Sequence, residues 1–207
     1  MGKTQTLSHS LQLLINDVNR SEEWLNSGLN TTGGWNPPFI QLRDVVMVED
    51  ASFYTAIGAW CISYDSSFRE ASITYSIPTI FIASIALSKS GCNPNAVGPN
   101  GQQGLMQLSR SQLPPGGSVS PHDNIMIGAK LLQDRLFVFN NNIIECIGMY
   151  GGWFRGMTEW DPCVKQRQVP QDLDFLQKFF NGLILGRNYE WMGTYQCEGL
   201  CSGARLC

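Results

Sequence analysis

The stretch Ser88-Lys89-Ser90-Gly91-Cys92-Asn93-Pro94-Asn95 closes a long apolar run and opens into turns rich in glycine and amides. Between residues 88 and 108 stand one amine, Lys89, and the amide side chains of Asn93, Asn95, Asn100, Gln102, Gln103 and Gln107. Amides donate and accept together, which suits hydroxyl and N-acetyl groups. Tyr150, Trp153, Phe154 and Trp160 offer faces on which a pyranose ring can stack. The same residue types also make turns and fill cores, so taken alone they leave a sugar groove and an ordinary loop region equally open.

Other chemistries have weaker footing. Three acids, Glu70, Asp123 and Glu145, lie near this region in sequence. Asp123 suits a helix cap, and Glu145 precedes Tyr150 by five residues on a segment that should border the groove. A cysteine–histidine nucleophile would need a thiol beside His122, one of only two histidines, and no cysteine is placed near it. Cys197, Cys201 and Cys207 match no common zinc spacing and have no histidine close by. No metal or cofactor is therefore expected.

The elements that must position these residues read as helices. Leu7 to Leu25 carries apolar residues at helical spacing. Asn26 to Pro38 is loop chemistry, and Asp50 or Ser52 can cap a helix with Phe53, Ala56, Ile57, Trp60 and Tyr64 inward. Another helix is predicted over Ser67 to Thr74. From Thr79 to Ser88 the chain is apolar nearly all round, the pattern of a helix enclosed by others, and Gly91 stops it. Further helices are predicted from Asp123 to Phe139, with Ile125, Ile127, Ala129, Leu131, Leu132 and Leu136 inward, from Ile143 to Tyr150, and from Leu173 to Leu185. No strand series and no repeat stand out. The fold class is mainly α.

Composition narrows the function. A net charge of −3 and a pI near 5.3 give no general attraction to nucleic acid, so a nucleic-acid partner is not expected. No apolar run approaches the roughly 20 residues that span a bilayer. The start, Met1 to Ser10, lacks the apolar core of a secretory signal, and Gly2 with Thr6 fits a loose myristoylation pattern that a mature start explains equally well. Seven cysteines, four of them in the last 45 residues, point to disulfides and a secreted protein with at least one thiol left over. The sequons at Asn19 and Asn30 agree with secretion.

The order of the motifs says more. Tyr75-Ser76-Ile77-Pro78, the apolar helix, Ser90-Gly91-Cys92-Asn93-Pro94-Asn95-Ala96-Val97, Gly104-Leu105-Met106-Gln107-Leu108, and Asn124-Ile125 with Gly128-Ala129 and Leu132 resemble the core of the soluble lytic transglycosylases and goose-type lysozymes. The resemblance runs from about Phe53 to Trp153. It implies a lysozyme-like helical domain with disulfide-stabilised flanking segments: 1–50 an N-terminal extension and loop, 51–155 the core, 156–207 a C-terminal helix and cysteine-rich tail. It also implies a groove for β-1,4-linked N-acetylhexosamine polysaccharide, peptidoglycan or chitin. The implied substrate-binding residues are Ser90, Asn93, Gln103, Met106, Gln107, Asn124, Tyr150 and Trp153.

One position departs from the family pattern. The general-acid Glu of that family stands immediately before the Ser matched by Ser90, and an ungapped count from Tyr75 to Gly91 puts Lys89 there. Gly151 likewise stands where an Asn usually follows the tyrosine. A lysine is a cation at neutral pH and a poor proton donor to an ether oxygen, and loss of general-acid catalysis removes ~10² to 10⁴ in rate. Lys89 also suits the negative end of a helix dipole. Two expectations follow: a glycan-binding protein with impaired cleavage, or an active muramidase or transglycosylase. In the second case another acid, with Glu145 the best candidate, has taken over, or Lys89 is an introduced replacement.

Overall fold

The computed structural model describes residues 18–117, 119–161, 172–190 and 192–193. Most of the helix expected from Leu7, and the cysteines at 163, 197, 201 and 207, lie outside the described residues.

The first described helix, α1 (Glu22–Leu25), is a single turn capped by Ser21, whose hydroxyl accepts from the Trp24 amide. The expected continuous helix through Val18 is not present at residues 18–20, where Arg20 adopts a φ of 89°. Asn19 explains the break. Its amide side chain donates to the carbonyls of Val46 (2.9 Å) and Phe180 (2.6 Å), while its backbone N–H donates to Asn181 (2.8 Å). Asn19 is thus buried and fully engaged, which removes it as a glycosylation acceptor; Asn30 is exposed.

Helix α2 (Asp50–Ala56) begins after Glu49, with no side-chain cap from Asp50 or Ser52. It ends early because Phe53 packs into the space beside Gly58, where a Cβ would lie 2.2 Å from the ring. The chain then tightens into a 3₁₀ turn, Ala59–Tyr64. Three residues per turn instead of 3.6 rotate the expected face, and Trp60, predicted inward, is 79% exposed.

Helix α3 (Asp65–Tyr75) closes with Ser76 in the left-handed region. Pro78 then starts α4 (Thr79–Ser90), and Gly91 at φ 61° ends it. Every residue from Ile80 to Leu87 is buried, so α4 is the enclosed helix that its even apolar pattern predicts. Phe81 meets Phe179 edge to face at 5.2 Å, tying α4 to the C-terminal part of the chain. The Cys61–Cys92 disulfide, with Cα atoms 5.1 Å apart, anchors the end of α4 to the 3₁₀ turn. Closing a loop of 31 residues contributes about 3–4 kcal/mol. This bond lies within the core region.

Helix α5 (Pro121–Val138) is capped by Ser120, which accepts from the Asp123 amide, while Asp123 accepts the Ser120 hydroxyl proton. The cap is therefore the serine and not Asp123. Ile125, Ala129, Leu132 and Leu136 are buried, and Ile127 and Leu131 are half-buried. Helix α6 (Ile143–Tyr150) matches its expected bounds, with Asn142 as cap. The last run starts as α7 (Phe175–Gln177), widens into a π turn (Lys178–Gly182) and tightens into a 3₁₀ turn (Leu183–Leu185). Asn181 of the π turn, fully buried, donates to the Arg20 carbonyl and to Gln177 and accepts from the Asn19 N–H.

Helix α3 packs on α4 and α5, α5 on α6, α6 on α7, and the 183–185 turn on α4. Among the described residues there is no strand; two isolated bridges, Val97 with Gln103 and Gln103 with Leu108, fold the loop after α4 onto itself. The fold is mainly helical, as expected from the sequence. Among the described residues no helix is long and apolar enough to cross a membrane.

Candidate functional site

The end of α4, the 97–112 loop, one face of α5 and the end of α6 enclose a groove of about 480 Å³. Lys89, Met106, Gln107 and Tyr150 all line it, together with Gln102, Gln112 and Arg135. Four of the residues singled out from the sequence therefore converge on one cavity.

Lys89 sits in the last turn of α4 and is half-buried. Its ammonium donates to the backbone carbonyl of Tyr150 and lies 5.0 Å from the Phe175 ring centroid. Burial pushes its pKa down to about 8, because taking an ammonium out of water disfavours the charged form. Lys89 also lines a second cavity of about 320 Å³ with Phe175, Lys178 and Tyr189, and so forms part of the wall between the two.

The loop is held by residues that turn their polar atoms inward to the protein. The Ser90 hydroxyl lies 2.9 Å from the carbonyls of both Ala86 and Leu105 and has its one proton to share between them. Asn124, 2% exposed, accepts from the Met106 amide at 2.8 Å and donates to the Gln103 carbonyl at 3.1 Å. Gly104, at φ 76°, leaves the room that Asn124 fills, since a Cβ there would lie 2.5 Å from its amide nitrogen. Gln107 donates to the carbonyls of Ala96 (3.1 Å) and Gly104 (2.9 Å). Met106 packs against Gly128 of α5. Gln103 and Asn124 line a separate small cavity, and Asn93 is exposed, accepting from the Asn95 amide in a local turn.

Tyr150 joins the two walls. Its hydroxyl donates to the Gly128 carbonyl at 3.3 Å, its ring lies 5.1 Å from the Arg135 guanidinium carbon, and burial pushes its phenol up to about 12. Trp153 is not part of the groove. It is 1% exposed, packs edge to face on Trp35 at 5.1 Å, and donates its indole N–H to the Asp172 carbonyl. Phe154 and Trp160 are about half exposed and do not line the groove.

The acids stand elsewhere. Glu145 is buried and held by Arg155 through two hydrogen bonds of 2.5 and 2.6 Å, and it does not line the groove. Glu70 accepts from His122 across α3 and α5 at 3.1 Å. His122 lies between Glu70 and Asp123, which raise its pKa through hydrogen bonds, Asp123 the more strongly. The one free thiol among the described residues, Cys146, is buried, donates to the Leu132 carbonyl, and is pushed up to about 12 by burial. A cysteine–histidine pair is not assembled among the described residues.

Sequence reasoning missed Arg135 and Phe175. Gly128, Leu131 and Arg135 fall at helical spacing on α5, so the position of Tyr150 against Gly128 carries Arg135 to the same wall. Phe175 gave no such signal. Its ring fills the space beside Gly151, where a Cβ would meet it at 2.2 Å.

A larger cavity of about 920 Å³ lies between the 41–47 segment, residues 75–78 and the C-terminal half of α5. It is mostly apolar, and none of the site residues named from the sequence lines it.

Residues 66–161 match the family described as Transglycosylase SLT domain. Among solved structures, the chain is similar to an inactive mutant of lytic transglycosylase Slt from Pseudomonas aeruginosa, at 17% identity over 57% of this chain and 22% of that one, with a TM-score of 0.38. It is also similar to the 70 kDa soluble lytic transglycosylase from Escherichia coli, at 21% identity over 63% of this chain and 26% of that one, with a TM-score of 0.42. The chain thus spans about a quarter of the length of either protein.

Proposed function

We propose that this protein is a lytic-transglycosylase-like protein whose groove binds β-1,4-linked N-acetylhexosamine strands, peptidoglycan foremost, with cleavage impaired by Lys89. The match of residues 66–161 to the SLT domain supports the substrate class. The observation that carries the reading is the position of Lys89: the last turn of α4, on the wall of the groove it shares with Met106, Gln107 and Tyr150.

An acid at that place would protonate the glycosidic oxygen. An ammonium puts positive charge beside a transition state that is itself cationic at the sugar ring, which opposes cleavage. Substitution by Glu145 is disfavoured, because that carboxylate is bound on both oxygens by Arg155. Glu70 is exposed and bonded to His122, outside the groove lining. The Cys61–Cys92 disulfide favours a secreted protein.

The test is Lys89→Glu. The surroundings that lower a lysine raise a carboxylic acid, because burial disfavours whichever form is charged. A Glu at 89 would therefore keep its proton nearer neutral pH, as a general acid needs. Cleavage of purified peptidoglycan, followed by turbidity and product analysis, should be absent or weak in this chain and rise by ~10²-fold or more in Lys89→Glu. Strong cleavage by the unaltered chain would overturn the impaired reading.

A further inference from the structure

The groove carries a charge pattern that the overall chain does not. The whole protein is acidic, with a net charge of −3. Yet among the described residues the groove is lined by two cations, Lys89 and Arg135, and by no carboxylate. Both cations are held by one residue, Lys89 on the Tyr150 carbonyl and Arg135 on the Tyr150 ring. Neither has an acidic partner among the described residues, whereas the neighbouring Lys130 is bonded to Asp134 at 2.6 Å. Arg110, exposed, stands on the short turn between the lining residues Ser109 and Gln112. Amides of Gln102, Gln107 and Gln112 complete the polar lining.

Both cations contact Tyr150 and line one groove without an acidic partner, and a ligand carboxylate is the group that answers both. We propose that the groove seats a carboxylate of its ligand between Lys89 and Arg135, so that its preferred ligand is a carboxylate-bearing β-1,4-linked glycan and not a neutral one. The inference rests on the glycan reading above and specifies it. Two sources supply that chemistry. One is the lactyl carboxylate of N-acetylmuramic acid in strands stripped of their stem peptides, where the carboxylate is no longer tied up as an amide. The other is a uronic acid.

Calorimetric titration of the whole chain at pH 7 tests this, with three tetrasaccharides: neutral chitotetraose, a peptide-free tetramer of alternating N-acetylglucosamine and N-acetylmuramic acid, and a β-1,4-glucuronic acid tetramer. A charge-assisted bond predicts that at least one acidic tetramer binds ~10-fold or more tighter than chitotetraose at low salt. The preference should shrink in 0.5 M salt, as a partly exposed ion pair is screened. Arg135→Gln should bring the ratio toward one, and Lys130→Gln, an equal charge change outside the groove, should leave the ratio as it is. The tighter of the two acidic tetramers identifies the source. Equal binding of neutral and acidic tetramers overturns the carboxylate seat and leaves the glycan reading standing. Failure of all three to bind overturns both.

Discussion

The ammonium of Lys89 donates to the backbone carbonyl of Tyr150, 61 residues further along the chain, and so joins the end of α4 to the end of α6. That carbonyl lies in the last turn of α6, where helix acceptors are left without an intrahelical donor. The lysine therefore both satisfies an orphan acceptor and sets a positive charge on the groove wall. Position 89 is structural as well as chemical.

The stability of the protein should report this buried charge. Lys89 has a pKa of about 8 in the folded state against an ordinary 10.5. Below pH 8 it is charged in both states, and the desolvation penalty is fully present. Between pH 8 and 10.5 the folded state releases the proton first, so the lysine's contribution to stability rises with pH. Cys146 and Tyr150, each pushed up to about 12, act in the opposite direction in the alkaline range. The comparison with Lys89→Met isolates the lysine. Denaturant unfolding should show the stability gap between Lys89→Met and the parent moving in the parent's favour by roughly 1–3 kcal/mol between pH 7 and pH 10.5. A gap that stays constant with pH would show that Lys89 is not held as a buried cation.

Glu145 and Arg155 should prove unequal partners. The glutamate side chain is 7% exposed and the arginine 57%. Removing the arginine strands a buried charge, whereas removing the carboxylate's charge leaves an arginine that can turn to water. Arg155→Ala should destabilise by about 2–4 kcal/mol and Glu145→Gln by about 1–2 kcal/mol in chemical unfolding. In the Lys89→Glu background, Glu145→Gln should leave the cleavage rate within about twofold. A loss of ~10²-fold there would make Glu145 an acid after all.

Asn124 should matter more than its neighbours on α5. It is the buried group that bonds both Met106 and Gln103, so Asn124→Ala leaves the buried Met106 N–H without its acceptor and the Gln103 carbonyl with only the Leu108 N–H. The expected loss is about 2–3 kcal/mol. Glycan affinity should fall with it, because Met106 and Gln107 line the groove. Ordinary stability with unchanged hydrogen exchange at residues 103–107 would refute the role.

Gly151 and Phe175 should be coupled. The backbone at 151 has an ordinary φ of −77°, so only the Phe175 ring excludes a side chain there. Gly151→Asn alone should destabilise by about 2 kcal/mol or more through overpacking. Combined with Phe175→Leu, part of that loss should be recovered, giving a coupling of about 1 kcal/mol in a double-mutant cycle. Additive losses would place the clash elsewhere.

What the sequence made legible was local. The bounds of α6 and the enclosure of α4 follow from apolar spacing between a proline, a capping asparagine and stop glycines, and the convergence of Lys89, Gln107 and Tyr150 follows from motif order. What it hid was long-range. Asn19 reads as a sequon because nothing local shows that its partners are Val46, Phe180 and Asn181. Trp153 reads as a stacking face because its burial depends on Trp35, far back in the chain. The Glu145–Arg155 pair spans a loop, where no helical spacing marks it.

The Phe175 ring meets both Lys89 and Gly151, and it makes opposite demands of them. The ammonium of Lys89 lies 5.0 Å from the ring centroid, whereas a Cβ at 151 would stand 2.2 Å from a ring carbon. The ring is a cushion on one side and a stop on the other: it lies alongside a charge at 89 and excludes bulk at 151.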